Sequence, residues 1–177
     1  MSMIGCLAAC QPLAPVQQGQ AGGPTQATQT LPTKAPEVQA IESRPDAAPV
    51  RVFLADTAVH TGWVPVSLKP DGVLYVRTDP VLTRDDLMGV QAATAHDGSG
   101  ILILILNDEG LQKIHRATAA HPGLKLALVV GHTMLAAPGY AVPISEQQLA
   151  FGVGTRANAD LAARAVAGRD REAGKNF

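Results

Sequence analysis

At 177 residues the chain has room for one domain with a real core, or for a smaller domain and a tail. Its 14 Lys+Arg and 15 Asp+Glu are mixed along the sequence and leave a net charge of -1, which excludes the basic stripe that binding to nucleic acid needs. Aromatic residues are 3%, with one Trp, too few for stacking platforms, and the longest apolar run is six residues against the roughly 20 of a membrane-spanning helix.

Both cysteines, Cys6 and Cys10, precede anything that reads as folded, so a core disulfide is excluded. Leu7-Ala8-Ala9-Cys10 resembles the lipobox of bacterial lipoproteins, in which small residues precede a cysteine that is lipidated. Small side chains fit a peptidase cleft, and acyl chains supply membrane affinity that a polar domain lacks. Residues 1–10 are therefore expected to be a signal remnant with Cys10 as the lipidated residue. Met1 to Gly5 carries no Lys or Arg and the apolar core is short, so the true start is expected upstream. Residues 11–49 are rich in Pro, Gln, Thr and Ala, with few large aliphatic side chains. Such a composition cannot bury enough apolar surface to offset ordering entropy and predicts a disordered tether.

The folded part is expected over residues 50–168. Val50 to Leu54 reads as a strand, and Val64 to Leu68 as a second, which Pro65 restricts to an edge or a strand start. Lys69-Pro70-Asp71-Gly72 is a tight turn into a strand over Val73 to Val76. Thr83 with Asp86 resembles a capping box, opening a short helix through Leu87 and Met88 that Gly89 stops. Val90 to Ala95 reads as a strand, and the loop from His96 to Gly100 makes a hairpin into Ile101 to Leu106, whose six apolar residues suggest a strand buried on both faces. Leu111, Ile114, Ala117 and Thr118 share one face of a helix that stops at His121-Pro122-Gly123. Lys125 to Val130 is a strand, Gly131-His132 a turn, and Met134 to Pro138 extended. Ile144 to Gln148 reads as a loop or a strand start, and Leu149 to Phe151 as a strand. Thr155 caps a helix over about Ala157 to Ala167, with Leu161, Ala162, Ala165 and Val166 inward, Asp160 and Arg164 paired outside, and Gly168 at its end. Residues 169–177 are a charged terminus. The fold class is α+β, a mostly antiparallel sheet with two main helices packed on one face.

Over about Tyr75 to Gly168 these residues resemble the head subdomain of the first periplasmic region of SecD, the accessory subunit of the bacterial Sec translocon. The family's Pro-Val-Leu-Thr segment, followed by an acidic residue and Leu, appears as Pro80 to Thr83 with Asp86-Leu87. Its apolar strand ending in Leu-Asn, the Glu-Gly pair and the later Thr appear as Leu106, Asn107, Glu109, Gly110, Ile114 and Thr118. A Gly, a basic residue and a Leu-Ala-Ile-Val-Leu strand appear as Gly123, Lys125 and Leu126-Ala127-Leu128-Val129-Val130. Ser-Ala-Pro appears as Ala136-Ala137-Pro138, and the last helix as Leu161-Ala162 with Gly168. The acidic residue that usually follows the Leu-Ala-Ile-Val-Leu strand is Gly131 here, and the final helix aligns on Thr155 or on Gly168 but not on both. In SecD the subdomain is joined to transmembrane helices that carry proton-motive work. The resemblance therefore implies for this chain only the role attributed to the head, contact with unfolded or emerging polypeptide outside the membrane.

The remaining candidates for chemistry have plainer readings. Asp108-Glu109 lies in the first turn of a helix, where negative charge complements exposed amides. His115, His121 and His132 match no zinc spacing. Gly152-Val153-Gly154 before a helix hints at a phosphate turn but lacks the third glycine of the dinucleotide fingerprint. No Gly-x-Ser-x-Gly elbow surrounds Ser99 or Ser145. The expectation is a non-catalytic envelope lipoprotein on the outer side of the cytoplasmic membrane or in the periplasm. It needs no cofactor, metal, nucleotide or nucleic acid, and meets the membrane through its lipid alone. Its partner is polypeptide, with the backbone edge of Val64, Val66 and Leu68 as the candidate contact. The alternatives are an assembly factor that binds a folded envelope protein or the cell wall, and, behind that, an enzyme. A deep cleft with converging titratable groups would favour the enzyme.

Overall fold

The computed structural model describes residues 38–40, 47–68 and 72–168. The signal remnant with Cys10, the turn residues Lys69 to Asp71 and the terminus 169–177 lie outside the described residues, as does most of the tether. Within them the chain runs β1 (Val38–Ala40), β2 (Val50–Asp56), β3 (Val64–Ser67), β4 (Val73–Val76), β5 (Leu82–Thr83) and a 3-10 turn over Arg84–Asp86. It continues through β6 (Leu87–Thr94), β7 (Ser99–Leu106), α1 (Asp108–Ala120), β8 (Lys125–Val130), β9 (Thr133–Ala136), β10 (Gln148–Thr155) and α2 (Arg156–Ala167). The architecture is α+β, with antiparallel strands divided between two sheets. One has the order β1-β6-β7-β10 and the other β3-β4-β2-β8-β9, with β5 also paired to β2.

Three expectations about elements are corrected. Val38–Ala40, assigned from composition to the tether, pairs with β6 through Val38↔Gln91, Gln39↔Val90 and Ala40↔Gly89. A three-residue strand has no period to read, and it forms because β6 offers an unpaired edge. The capping box at Thr83 and Asp86 is present, yet the turn it opens ends at Asp86, and Leu87 and Met88 begin a strand. Pairing of Leu87 and Gly89 with β7 overrides a weak helical preference. The strand expected over Leu149 to Phe151 runs on to Thr155, so Gly152 and Gly154 belong to β10, with a register shift between them.

β7 is the centre of the first sheet and alternates strictly. Leu102, Leu104 and Leu106 are 0% exposed, whereas Ile101, Ile103 and Ile105 are half-buried. The reading of a strand buried on both faces is therefore wrong for the isoleucine side. Leu102, Leu104 and Leu106 share one core with Val52, Leu54, Leu126 and Leu128 of the second sheet and with Ile114 of α1. α2 lies across β6, β7 and β10. It buries Ala159, Ala162, Ala163, Val166 and Ala167, small residues that allow a close approach to the sheet. Leu161, expected inward, is 55% exposed, one position out of phase with that stripe. Asp160 pairs with Arg156 at 3.0 Å and not with Arg164. Where β7 meets the start of α2, a Cβ on Gly100 would lie 2.0 Å from the Thr155 carbonyl oxygen, so only glycine fits there.

Candidate functional site

The family-like residues converge on a joint between the 3-10 turn and α1. Asp86, 2% exposed, accepts from the Thr83 backbone N–H at 2.7 Å, from the Thr83 hydroxyl at 3.2 Å and from the Lys113 ammonium at 2.7 Å. Its carbonyl accepts from the Asn107 N–H at 3.0 Å, while the Asn107 amide donates to the Asp85 carbonyl at 2.8 Å. The same Asn107 caps α1 by accepting from the Gly110 N–H at 2.8 Å. Gly110 is required by packing, since a Cβ there would lie 2.4 Å from the Asp86 carbonyl oxygen. Glu109 is exposed and reaches Lys113 at 2.9 Å. Arg84 donates to the Val166 carbonyl at the end of α2, which ties the turn to the second helix as well.

The other motif residues are also joints. The Thr118 hydroxyl donates to the Ile114 carbonyl at 2.8 Å and accepts from the Ile144 N–H at 3.0 Å, anchoring the segment that leads to β10. Leu126 donates its N–H to the Pro138 carbonyl at 2.9 Å. Ala127 is fully buried in a small cluster on the far face of the second sheet, against which Ala137 packs. Gly123 and Gly168 have φ of 77° and 74°, the left-handed turns that follow the two helices.

A cleft of about 470 Å³ opens beside the joint, lined by Arg77, Asp79, Pro80, Asp86, Lys113 and Arg116 among others. Two of its charged groups, Asp86 and Lys113, are committed to each other. The bonds from Asp86 first, and Glu109 second, hold the Lys113 ammonium above its ordinary pKa. A lysine that acts as a base at neutral pH needs a shift in the opposite direction. Asp108 and Glu109 lie in the first turn of α1. His115, His121 and His132 are not brought together, and among the described residues no group of three or more His, Cys, Asp or Glu side chains gathers to hold a metal. Ser99 lies in the β6–β7 hairpin, where its N–H donates to Asp97 at 2.9 Å.

Each sheet also ends in an open strand. β3 closes the order of its sheet, but the bond from the Leu68 N–H to the Gly72 carbonyl at 2.9 Å sets the parity of the hairpin. Val64, Val66 and Leu68, the residues chosen for strand addition, thus turn their backbone groups toward β4. Pro65 and Ser67 face outward, and Pro65 has no N–H to give. This corrects the contact drawn from sequence, since that edge is blunted. β10 is different. The Leu106 N–H donates to the Gln147 carbonyl at 2.7 Å, so Leu149 and Phe151 exchange bonds with Leu104 and Leu102, and Gln148, Ala150 and Gly152 present their backbone groups away from β7. Beside Gln148 and Ala150 runs a groove of about 390 Å³, lined also by Leu126, Tyr140, Val142, Ile144, Glu146 and Phe151. Sequence reading missed it because parity depends on register, which no local pattern encodes.

No protein-family model matches the chain, and no curated protein is significantly similar to it. Among solved structures it is similar to one of SecDF, described as a membrane component that enhances protein export, with a TM-score of 0.55 and 18% identity over 70% of this chain and 63% of that one. It is also similar to SecDF in a super-membrane-facing form, with a TM-score of 0.54 and 18% identity over 68% of this chain and 19% of that one. The chain thus spans less than two thirds of either SecDF chain. In these SecDF structures the described domain finds its likeness, and the fold it carries is SecD-like.

Proposed function

We propose that this protein is a non-catalytic component of the cell envelope that holds unfolded or exported polypeptide through its SecD-like domain and acts as an accessory to Sec-dependent export. The observation that carries this reading is the open backbone edge on a fold of that kind, since unpaired N–H and C=O groups recognise an extended chain without regard to its sequence. The commitment of Asp86 and Lys113 to each other, which takes that pair out of acid–base work, supports binding over catalysis. The reading is tested by crosslinking in intact cells with the domain displayed on its own N-terminal segment. Recovery of Sec components or nascent exported chains is the expected result, and recovery of a single folded envelope protein alone rejects it.

One observation favours a second reading, an assembly factor that binds a folded envelope partner. The outer face of the first sheet sets Ile101, Ile103 and Ile105 among Gln91, Ala93, Gln148, Ala150 and Gly152, with no formal charge among these residues. In either case Cys10 is the proposed lipid anchor. Cys10→Ser should release the protein from the membrane fraction, and unchanged fractionation removes the anchor from the proposal.

A further inference from the structure

We infer that the free edge of β10, at Gln148, Ala150 and Gly152, takes up an extended polypeptide as a fifth strand of the first sheet, with alternate side chains of that strand entering the adjoining groove. The inference rests on the polypeptide-holding reading above and gives it a location and a chemistry. Complementarity names the occupant. The outward N–H and C=O groups of Gln148, Ala150 and Gly152 recur at every second residue, the spacing that an extended backbone matches and a helix or a small ligand does not. Ala150 and Gly152 are exposed and carry only a methyl group and a hydrogen, so a strand approaching in the plane of the sheet meets little bulk.

The groove is already built. Its wall is held to α1 by the bond from the Ile144 N–H to the Thr118 hydroxyl, to β8 by the Leu126 to Pro138 bond, and to the residue before β8 by the 3.1 Å bond from the Tyr140 N–H to the Leu124 carbonyl. A pre-formed wall lowers the ordering cost of binding. Leu126, Tyr140, Ile144 and Phe151 make the groove mainly apolar, and Glu146 supplies its single formal charge, near the Gln148 end of the strand. The strand that fits has apolar residues at alternate positions and a basic residue at that end.

The test uses the full chain and three fluorescein-labelled ten-residue peptides. One alternates valine and threonine and ends in two lysines, one is the same sequence N-methylated throughout, and one carries glutamates in place of the lysines. The parent should bind the first peptide and lose at least tenfold in affinity for the methylated one, as two or three backbone hydrogen bonds would supply. Ala150→Pro should lose a similar factor with little change in melting temperature, because the N–H it removes points away from β7. The glutamate peptide should bind a few-fold more weakly, and Glu146→Lys should reverse that order. If the parent binds while methylation and Ala150→Pro leave affinity unchanged, the edge assignment is overturned and polypeptide binding stands. If the parent binds none of the peptides, both fall. Should Ala150→Pro fail to fold, the methylated peptide against the parent decides alone.

Discussion

The joint at Asp86 and the flank at β10 are built on opposite terms. At the joint a buried carboxylate, an amide cap and a glycine interlock, and Asp86 answers three donors at once. At the flank, backbone groups alternate toward solvent and the isoleucines of β7 stay half-buried. The residues that carry the resemblance to the SecD head gather at the joint and its counterparts near Thr118 and Leu126, whereas Gln148, Ala150 and Gly152 carry none of it. A family-like pattern here marks how the fold is fastened. The binding edge proposed above lies in positions free of that duty.

The largest effect that sharpens this contrast is expected from Gly110→Ala. A methyl group 2.4 Å from the Asp86 carbonyl oxygen forces the turn away from α1, and urea unfolding should register a loss of about 3 kcal/mol or more. Next, Asp86→Ala strands the Thr83 N–H and should cost about 2 to 4 kcal/mol, with Asp86→Asn nearer 1, because an amide oxygen still accepts from Thr83. Equal losses for the two would show that charge, and not the cap, holds the joint. Across β7, Leu104→Ala should cost about 3 kcal/mol and Ile103→Ala about 1, since only the first empties a sealed site. Equal costs there would break the comparison and indicate that something covers the outer face.

The smallest effect is one of pH. Because Asp86 and Glu109 raise the Lys113 pKa, the contribution of this ammonium is fully present below the ordinary lysine value near 10.5 and is lost as pH rises through the raised value. Between these limits the parent should lose stability more steeply than Lys113→Met. Parallel slopes in thermal melts from pH 9 upward would count against the ion pair's part in the joint.

Much of the fold was legible because its signals are local. The strands Val73–Val76 and Lys125–Val130, the hairpin at Asp97-Gly98, and the Thr155 and Gly168 ends of α2 follow from turn chemistry, apolar runs and capping. What escaped depends on distant partners. Leu87 and Met88 are strand only because β7 lies alongside, Leu161 misses the sheet by one helical position, and a uniform run such as Ile101 to Leu106 does not say which of its faces is covered. At the joint, Thr83 and Asp86 were readable as a cap, but the arrival of Lys113, 27 residues later, was not. The β10 edge was hidden altogether, because strand parity is decided across the ladder.

The brief strand β1 has a mechanical consequence. It is the first described element from the N-terminal side, held to β6 by three register pairs against the seven that join β6 to β7. A tug arriving through residue 37 is borne by this weak zipper before it is felt by the core, so β1 should part from β6 while Leu104 stays sealed. Single-molecule stretching from that terminus should show a short, low-force extension ahead of the main rupture, a fuse that lets the domain be jerked without being torn open.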